Sequence, residues 1–371
     1  MTPHQRFQAH LRFEPVDRVP LMEWGPWDAT VERWVEQSGR SPEQVQAYRG
    51  QCDAEENAGV DYAFLPPFPP RIVQQDDQTI TCSDRMGMTF RQFRHQPDGS
   101  MPQFIAPPVR SAEDWKQIKR RLDPQTPGRY PADWSERVER WRREQPIVRF
   151  YGFVETYYGG PSLFGFVRML LGEEQVHYAL YDEPALVEDM METATHFAIA
   201  SLRRALAEAP ITLVQFWEDM AGRNGSLISP DMVRRLMLPR YRRITDVIRA
   251  AGVDLIFVDS DGLVDSLIPL WLSAGINGVF PMEQAAGNDV HAYRRRYGRN
   301  LLMAGGIDKR ALARGPDAID AELADKIRLA QQGGYIPTLD HAVPPDVSWD
   351  HFQHYWRRKR DWLGVKAYGT P

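Results

Sequence analysis

The chain has 371 residues, with 45 Lys and Arg against 50 Asp and Glu; a formal net charge of −5 gives no basic field for nucleic-acid phosphates. Two cysteines, Cys52 and Cys82, are too few for a disulfide framework or a four-cysteine zinc site. No 18-residue uncharged apolar run predicts a membrane span, and MTPHQRFQAHLRFEPVDR lacks the apolar stretch of a secretory signal, so a cytoplasmic enzyme is the expectation.

Short apolar runs alternate with longer amphipathic ones, the pattern of an α/β fold. In chain order the predicted strands are 18–24 (RVPLMEW), 61–65 (DYAFL), 147–153 (IVRFYGF) and 211–217 (ITLVQFW). They continue with 253–258 (VDLIFV), 276–281 (INGVFP), 300–305 (NLLMAG) and 334–338 (GYIPT). Helical patterns lie between them, at 184–208, 230–250, 263–274, 315–332 and 348–362. First-turn prolines Pro184 and Pro230 mark helix starts, and Gly252 and Gly275 fall where helices should stop. Eight strands with intervening helices count out to a (β/α)8 TIM barrel, expected here as one domain over 1–371. The stretch 66–146 fits no simple βα unit. It opens with Pro66-Pro67-Phe68-Pro69-Pro70, then alternates as an antiparallel meander (RIVQQDDQTITCSDRMGMTFRQF), with a helix near 112–121. It is expected as a β-rich insertion after the second strand, shaping the catalytic mouth.

Barrel active sites gather at the C-terminal ends of the strands. There the sequence delivers Glu23-Trp24, Trp217-Glu218-Asp219, Asp259-Ser260-Asp261, Glu283 and Asp340-His341. A carboxylate just after a strand is also the usual N-cap of the next helix, and for Asp261 and Asp308 that role weighs equally. Asp259 ends an apolar strand, where an unpaired charge is costly and needs a cation or a proton. Adjacent side chains on an extended chain face opposite ways, so only one of Glu218 and Asp219 faces the axis; Glu218 is favoured. His341 is the one histidine at a predicted strand end, placed to act as acid, base or metal ligand. The candidate catalytic set is therefore His341, Asp261, Asp259 and Glu218. The same four could hold zinc or another divalent ion through nitrogen and oxygen, or bind each other and an organic substrate without metal. Glu23, Trp24, Phe64, Tyr157, Tyr158, Trp217, Glu283 and Asp340 are the expected substrate wall, where the aromatics suit a flat or apolar ligand. No GxSxG, GxGxxG or GxxxxGK[ST] occurs at a strand end, so nucleophilic-serine and phosphate-loop chemistry have no support.

Several segments carry a family resemblance: RFEPVDRVP, NGSLISPDMVRRLMLPRYRRITDVIRAAGVDLIFVDSDG, LIPLWLSAGINGVFPMEQAAGNDV, LLMAGGIDKRAL and GGYIPTLDHAVPPDVSW. In their order and spacing the chain resembles the uroporphyrinogen decarboxylase superfamily. The resemblance implies a (β/α)8 barrel with its pocket at the strand C-termini, often a homodimer. The haem-pathway decarboxylase binds its polycarboxylate tetrapyrrole through an arginine-rich RQAGRY stretch, whereas the equivalent region of this chain reads LMEWGPWDAT, with Glu23 and no arginine. Methyltransferase relatives hold zinc with an HxC pair, a position filled here by Asp259-Ser260-Asp261. The leading expectation is methyl transfer between a small methylated substrate and a corrinoid (cobalamin). Nothing resembles a DxHxxG corrinoid-binding motif, so the corrinoid would arrive on a partner protein or free. The alternatives are a decarboxylase or other lyase of a small organic acid, and a non-catalytic barrel that binds a small molecule.

Overall fold

The computed structural model describes residues 1–95, 101–154 and 158–365. Along the chain, β1 (Glu55–Asn57) is followed by the antiparallel meander β2 (Arg71–Gln75), β3 (Thr79–Ser83), β4 (Thr89–Phe93) and β5 (Gln103–Ala106). Next come β6 (Ile147–Phe150), the small hairpin β7 (Gly152–Val154) and β8 (Tyr158–Gly160), and β9 (Leu213–Trp217). A second hairpin, β10 (Ala221–Gly222) and β11 (Gly225–Ser226), precedes β12 (Ile256–Asp259), β13 (Gly278–Phe280), β14 (Leu302–Ile307) and β15 (Tyr335–Leu339). The order β1-β6-β9-β12-β13-β14-β15 makes one curled parallel sheet of seven strands, with helices such as Pro184–Glu208 and Pro316–Ala330 in the connections. No helix among the described residues is long and apolar enough to cross a membrane.

Two strand expectations need correction. Residues 18–24 form no ladder, yet they occupy the gap between the sheet's two edges. Asp53 donates its backbone N–H to Leu21 O at 2.8 Å on the β1 side, and Val343 donates to Gly25 O at 3.2 Å beyond β15. Side chains complete the seam: Leu339 N–H donates to Glu23 Oε1 at 2.9 Å and Leu21 N–H to Asp53 Oδ2 at 2.8 Å. Pro20 lacks an N–H, which is one reason a regular ladder does not form. The second barrel strand is β1, not 61–65. Its residues are polar because Glu55 pairs with Arg149 and Glu56 with Arg140, so an apolar run was the wrong signal there. Asp61 and Leu65 instead donate N–H to Arg129 O and Arg121 O of the later insertion, at 2.7 and 2.9 Å.

Period-2 alternation sorts the strand side chains. Leu213, Phe257, Leu302 and Ile336 point into the barrel, where Phe7 and Leu11 of the N-terminal helix Pro3–Leu11 close the floor. Each such buried side chain contributes roughly 1.5–3 kcal/mol. The alternate residues, Val214, Phe216, Ile256, Val258, Met303 and Tyr335, pack outward into the larger core beneath the helices. The predicted helix 230–250 is interrupted by a π-turn at Val233–Met237, just before Pro239 removes a backbone donor.

Candidate active site

Two joined cavities occupy the upper barrel. An inner chamber of about 550 Å³ is walled by Arg49, Glu55, Arg149, Gln215, Phe280 and Thr338, among others. An outer cleft of about 510 Å³ opens above it between Trp27, Arg168, Trp217, Asp219, Asp261 and His341. Trp24, Gly25, Tyr151 and Asp259 belong to both walls and define the neck between them. The inserted meander reaches this cleft through Met88 and Phe104, with Met101 beside them.

Asp259, the last residue of β12, faces the neck and accepts a hydrogen bond from Gln215 Nε2 at 2.9 Å. Gln215 is held in turn by Arg149, whose Nη1 donates to Gln215 Oε1 at 2.5 Å while Nη2 pairs with Glu55. Burial, then the charges of Asp261 and Asp219, push the Asp259 carboxyl well above the usual carboxylate range. Like charges facing a buried carboxyl disfavour its ionised form, so Asp259 is the carboxyl of this mouth biased toward holding a proton. Burial and then Asp259 also raise the Tyr151 phenol, which remains an O–H donor at the neck.

Asp219 lies across the cleft, in a left-handed backbone conformation with φ of 42°, and accepts from Arg168 Nη2 at 2.7 Å. Its carboxyl is raised by burial, against the opposing pull of Arg168. His341 Nε2 lies 3.5 Å from Asp261 Oδ2. The imidazole belongs to a column of rings: Phe280 on Trp24 at 4.8 Å, Trp24 on His341 at 5.4 Å, and His341 on Trp27 at 5.9 Å. This stacking fixes the imidazole plane at the rim. Gly262 closes the Asp-Ser-Asp-Gly turn at φ of 78°, where a Cβ would stand 2.4 Å from Ala221 O, so no other residue fits.

The structure thus brings together Asp259, Asp261, His341, Trp24 and Trp217 of the expected residues. Others it places elsewhere. Glu218 turns outward, wholly buried, and accepts from Leu163 N, Gly165 N and Tyr241 OH at 2.8, 3.0 and 2.8 Å. It is the acceptor for the backbone N–H groups at the start of helix Phe164–Leu171, not a mouth residue. Glu23 is sealed against Lys359 Nζ at 2.7 Å, with neither side chain exposed, and Tyr355 OH also donates to it. Asp340 is buried and accepts from Gln284 N and Lys309 N at 2.9 and 3.1 Å, tying loops together. Glu283 accepts from Gly262 N at 3.1 Å and so braces the Asp261 turn from behind. Phe64 is a fully buried core residue against Phe68. Tyr157 and the Tyr158 side chain lie outside the described residues.

With Glu218 turned away, the four-ligand metal set does not assemble, and among the described residues no group of three or more His, Cys, Asp or Glu side chains converges as metal ligands do. Of the pair weighed from sequence, Asp219 and not the favoured Glu218 faces the cleft, and sequence reasoning missed Arg149, Tyr151 and Arg168. A signal for Asp219 existed: Gln215 is a polar residue inside an apolar strand, and steps of two from it lead to Trp217 and Asp219, leaving Glu218 on the outer face.

The sequence profile of the family described as "Uroporphyrinogen decarboxylase (URO-D)" matches residues 78–362. The chain is similar to proteins named uroporphyrinogen decarboxylase from Nocardia farcinica, 27% identical over 66% of each chain, and from Xanthomonas euvesicatoria, 24% identical over 95% of this chain and 96% of the relative. That of Myxococcus xanthus is 23% identical over 88% of this chain and 90% of its own. Among solved structures, a B12-independent methionine synthase from Shewanella sp. W3-18-1 is a distant likeness, with a TM-score of 0.42 and 11% identity over 78% of both chains. With most of its length matched by that profile, this chain belongs to the uroporphyrinogen decarboxylase family.

Proposed function

We propose that this barrel is an enzyme in which Asp259 donates a proton to the departing atom of a small substrate seated in the inner chamber, the reaction being methyl transfer to a corrinoid that approaches through the outer cleft. The observation that carries the reading is the position of Asp259 at the neck between two cavities, where burial and two neighbouring carboxyls bias it toward its protonated form. Two chambers suit a reaction between two partners, with the acid at the point where they meet.

The chain's own residues supply three functions. Trp24 and Phe280, stacked at 4.8 Å, offer a flat wall for the substrate in the inner chamber. As the methyl group leaves toward the outer cleft, its bonding pair stays on the heteroatom, and that pair takes the proton of Asp259. Gln215 Nε2, already at 2.9 Å, and Arg149 behind it then stabilise the carboxylate that remains. The Asp261–His341 pair, half-exposed at the rim, returns a proton from solvent. Trp27, Trp217 and Met169 give the outer cleft an apolar face suited to a flat macrocycle; a corrinoid held there would supply the nucleophile for the methyl group. Among the described residues no set of three or more His, Cys, Asp or Glu side chains is arranged to support metal-assisted activation.

The true tetrapyrrole decarboxylation is disfavoured by charge. The outer cleft carries Asp219, Asp261 and Glu173 against Arg168, a surplus of acid facing any polycarboxylate. Decarboxylation of a smaller acid is the second reading. The relatives' names favour it, and Asp259 would then protonate the carbanion left when CO₂ departs. Incubating the protein with chemically reduced cobalamin and a panel of methyl ethers and methylamines, while trapping CO₂ from matched carboxylic acids, separates the two. Methylcobalamin formation that is lost in Asp259→Asn supports transfer. CO₂ release without cobalamin, lost in the same variant, supports the lyase. Turnover that persists in Asp259→Asn refutes both assignments of the acid.

A further inference from the structure

We infer that the inner chamber is built for a monocarboxylate, whose carboxylate is held by Arg49 on the Gly25 side of the barrel while its other end, uncharged or cationic, points across to Asp259; this rests on the reading of the inner chamber as the substrate site. The charge ledger of the chamber wall leads there. Glu55 is matched by Arg149, and Glu23 by Lys359. Asp53 is matched by Arg6 and Arg18, at 2.5 and 2.7 Å, with Asp17 balancing the second charge at Arg6. Asp259 is held toward its neutral form by burial and its acidic neighbours. Arg49 alone remains. It lines the chamber and meets no carboxylate at ion-pair distance among the described residues, the neutral Tyr48 hydroxyl being its nearby polar neighbour.

Its placement is also specific. The guanidinium lies so close to Gly25, one of the neck residues, that a Cβ there would fall 2.2 Å from Nη2. Glycine at 25 thus leaves the space the guanidinium occupies. Two further donors of the same wall, Arg149 Nε and Trp24 Nε1, are buried without an acceptor. The wall is therefore rich in donors and short of acceptors, the complement of an oxygen-bearing anion. The opposite sign prevails beyond the neck, where Asp219 and Asp261 stand, so a second carboxylate on the far end of the ligand would meet repulsion. One anionic end is welcome and two are not.

The test is equilibrium binding, read by calorimetry and by quenching of tryptophan fluorescence, with no corrinoid present and no turnover required. The probes are 4-methoxybenzoate, its primary amide, and terephthalate. We expect the monocarboxylate to bind at least about tenfold more tightly than the amide, and terephthalate more weakly than the monocarboxylate. Arg49→Gln should erase the preference over the amide, while Arg49→Lys retains part of it. Equal binding of acid and amide, tighter binding of terephthalate, absence of binding by all three, or a preference that survives Arg49→Gln would each overturn the inference. Because Arg49 is exposed, neither variant threatens the fold, and a circular-dichroism melt matching the wild type verifies this. Failure of methyl transfer alone would leave these binding results standing.

Discussion

Replacing Glu218 with glutamine isolates one buried ionisation. Burial lifts this carboxyl from its ordinary 4.5 to about 7, although Gly165 N, Tyr241 OH and Leu163 N donate to it. With no exposed surface on the residue, solvent screening does not discount the effect, and the interval corresponds to about 3 kcal/mol. The sign follows from a folded-state proton affinity that is raised. This contribution is fully present below the unfolded value of 4.5 and is lost as pH rises through about 7. Glutamine does not titrate, so subtracting the variant's stability from the wild type's cancels the other groups. Urea unfolding of both proteins between about pH 5 and about pH 8 should show the wild type's relative stability falling by up to about 3 kcal/mol. A difference that stays flat, or grows with pH, would refute the reasoning. It would mean that the converging donors outweigh burial and hold Glu218 ionised in the fold.

Asp259→Asn should lower turnover by roughly a hundred- to ten-thousand-fold while leaving the melting temperature near that of the wild type. Since the protonated form is the active one, the wild-type rate should hold at low pH and decline as pH rises through the elevated Asp259 value; a rate that instead rises with pH would contradict the assignment. Lys359→Met strands Glu23 in the seam between the first and last barrel segments, and denaturation should register a loss of about 3–5 kcal/mol. A loss below about 1 kcal/mol would show that the pair is not what fastens the seam. Gly262→Ala forces a Cβ to 2.4 Å from Ala221 O at φ of 78°, so a cost of at least about 1–3 kcal/mol is expected by thermal melting, and an unchanged melt would count against the turn's role.

The strands from 211 onward were legible because apolar runs bounded by helical patterns are the direct signature of a buried parallel strand. β9, β12, β13, β14 and β15 all fall within or beside their predicted segments, and helix Pro184–Glu208 has the predicted ends. The first two strand positions were not legible, for opposite reasons. At 18–24 an apolar run is present but the ladder is replaced by side-chain bonds from Glu23 and Asp53. At Glu55–Asn57 the strand is present but its side chains are polar, paired with arginines nearly a hundred residues away.

The site divides in the same way. That carboxylates and one histidine end the barrel strands is readable from residue order alone, because strand position and residue type are local facts. Which of them face the mouth depends on how distant segments pack. Of Glu218 and Asp219, one caps a helix and the other lines the cleft, a choice set by β9's alternation and by the left-handed turn at Asp219. Glu23 and Asp340 bring the same carboxyl group as Asp259, yet Lys359 and two backbone amides claim them. What makes a carboxylate chemical rather than structural is whether its partners are fixed donors or a cavity, and those partners come from segments distant in the chain.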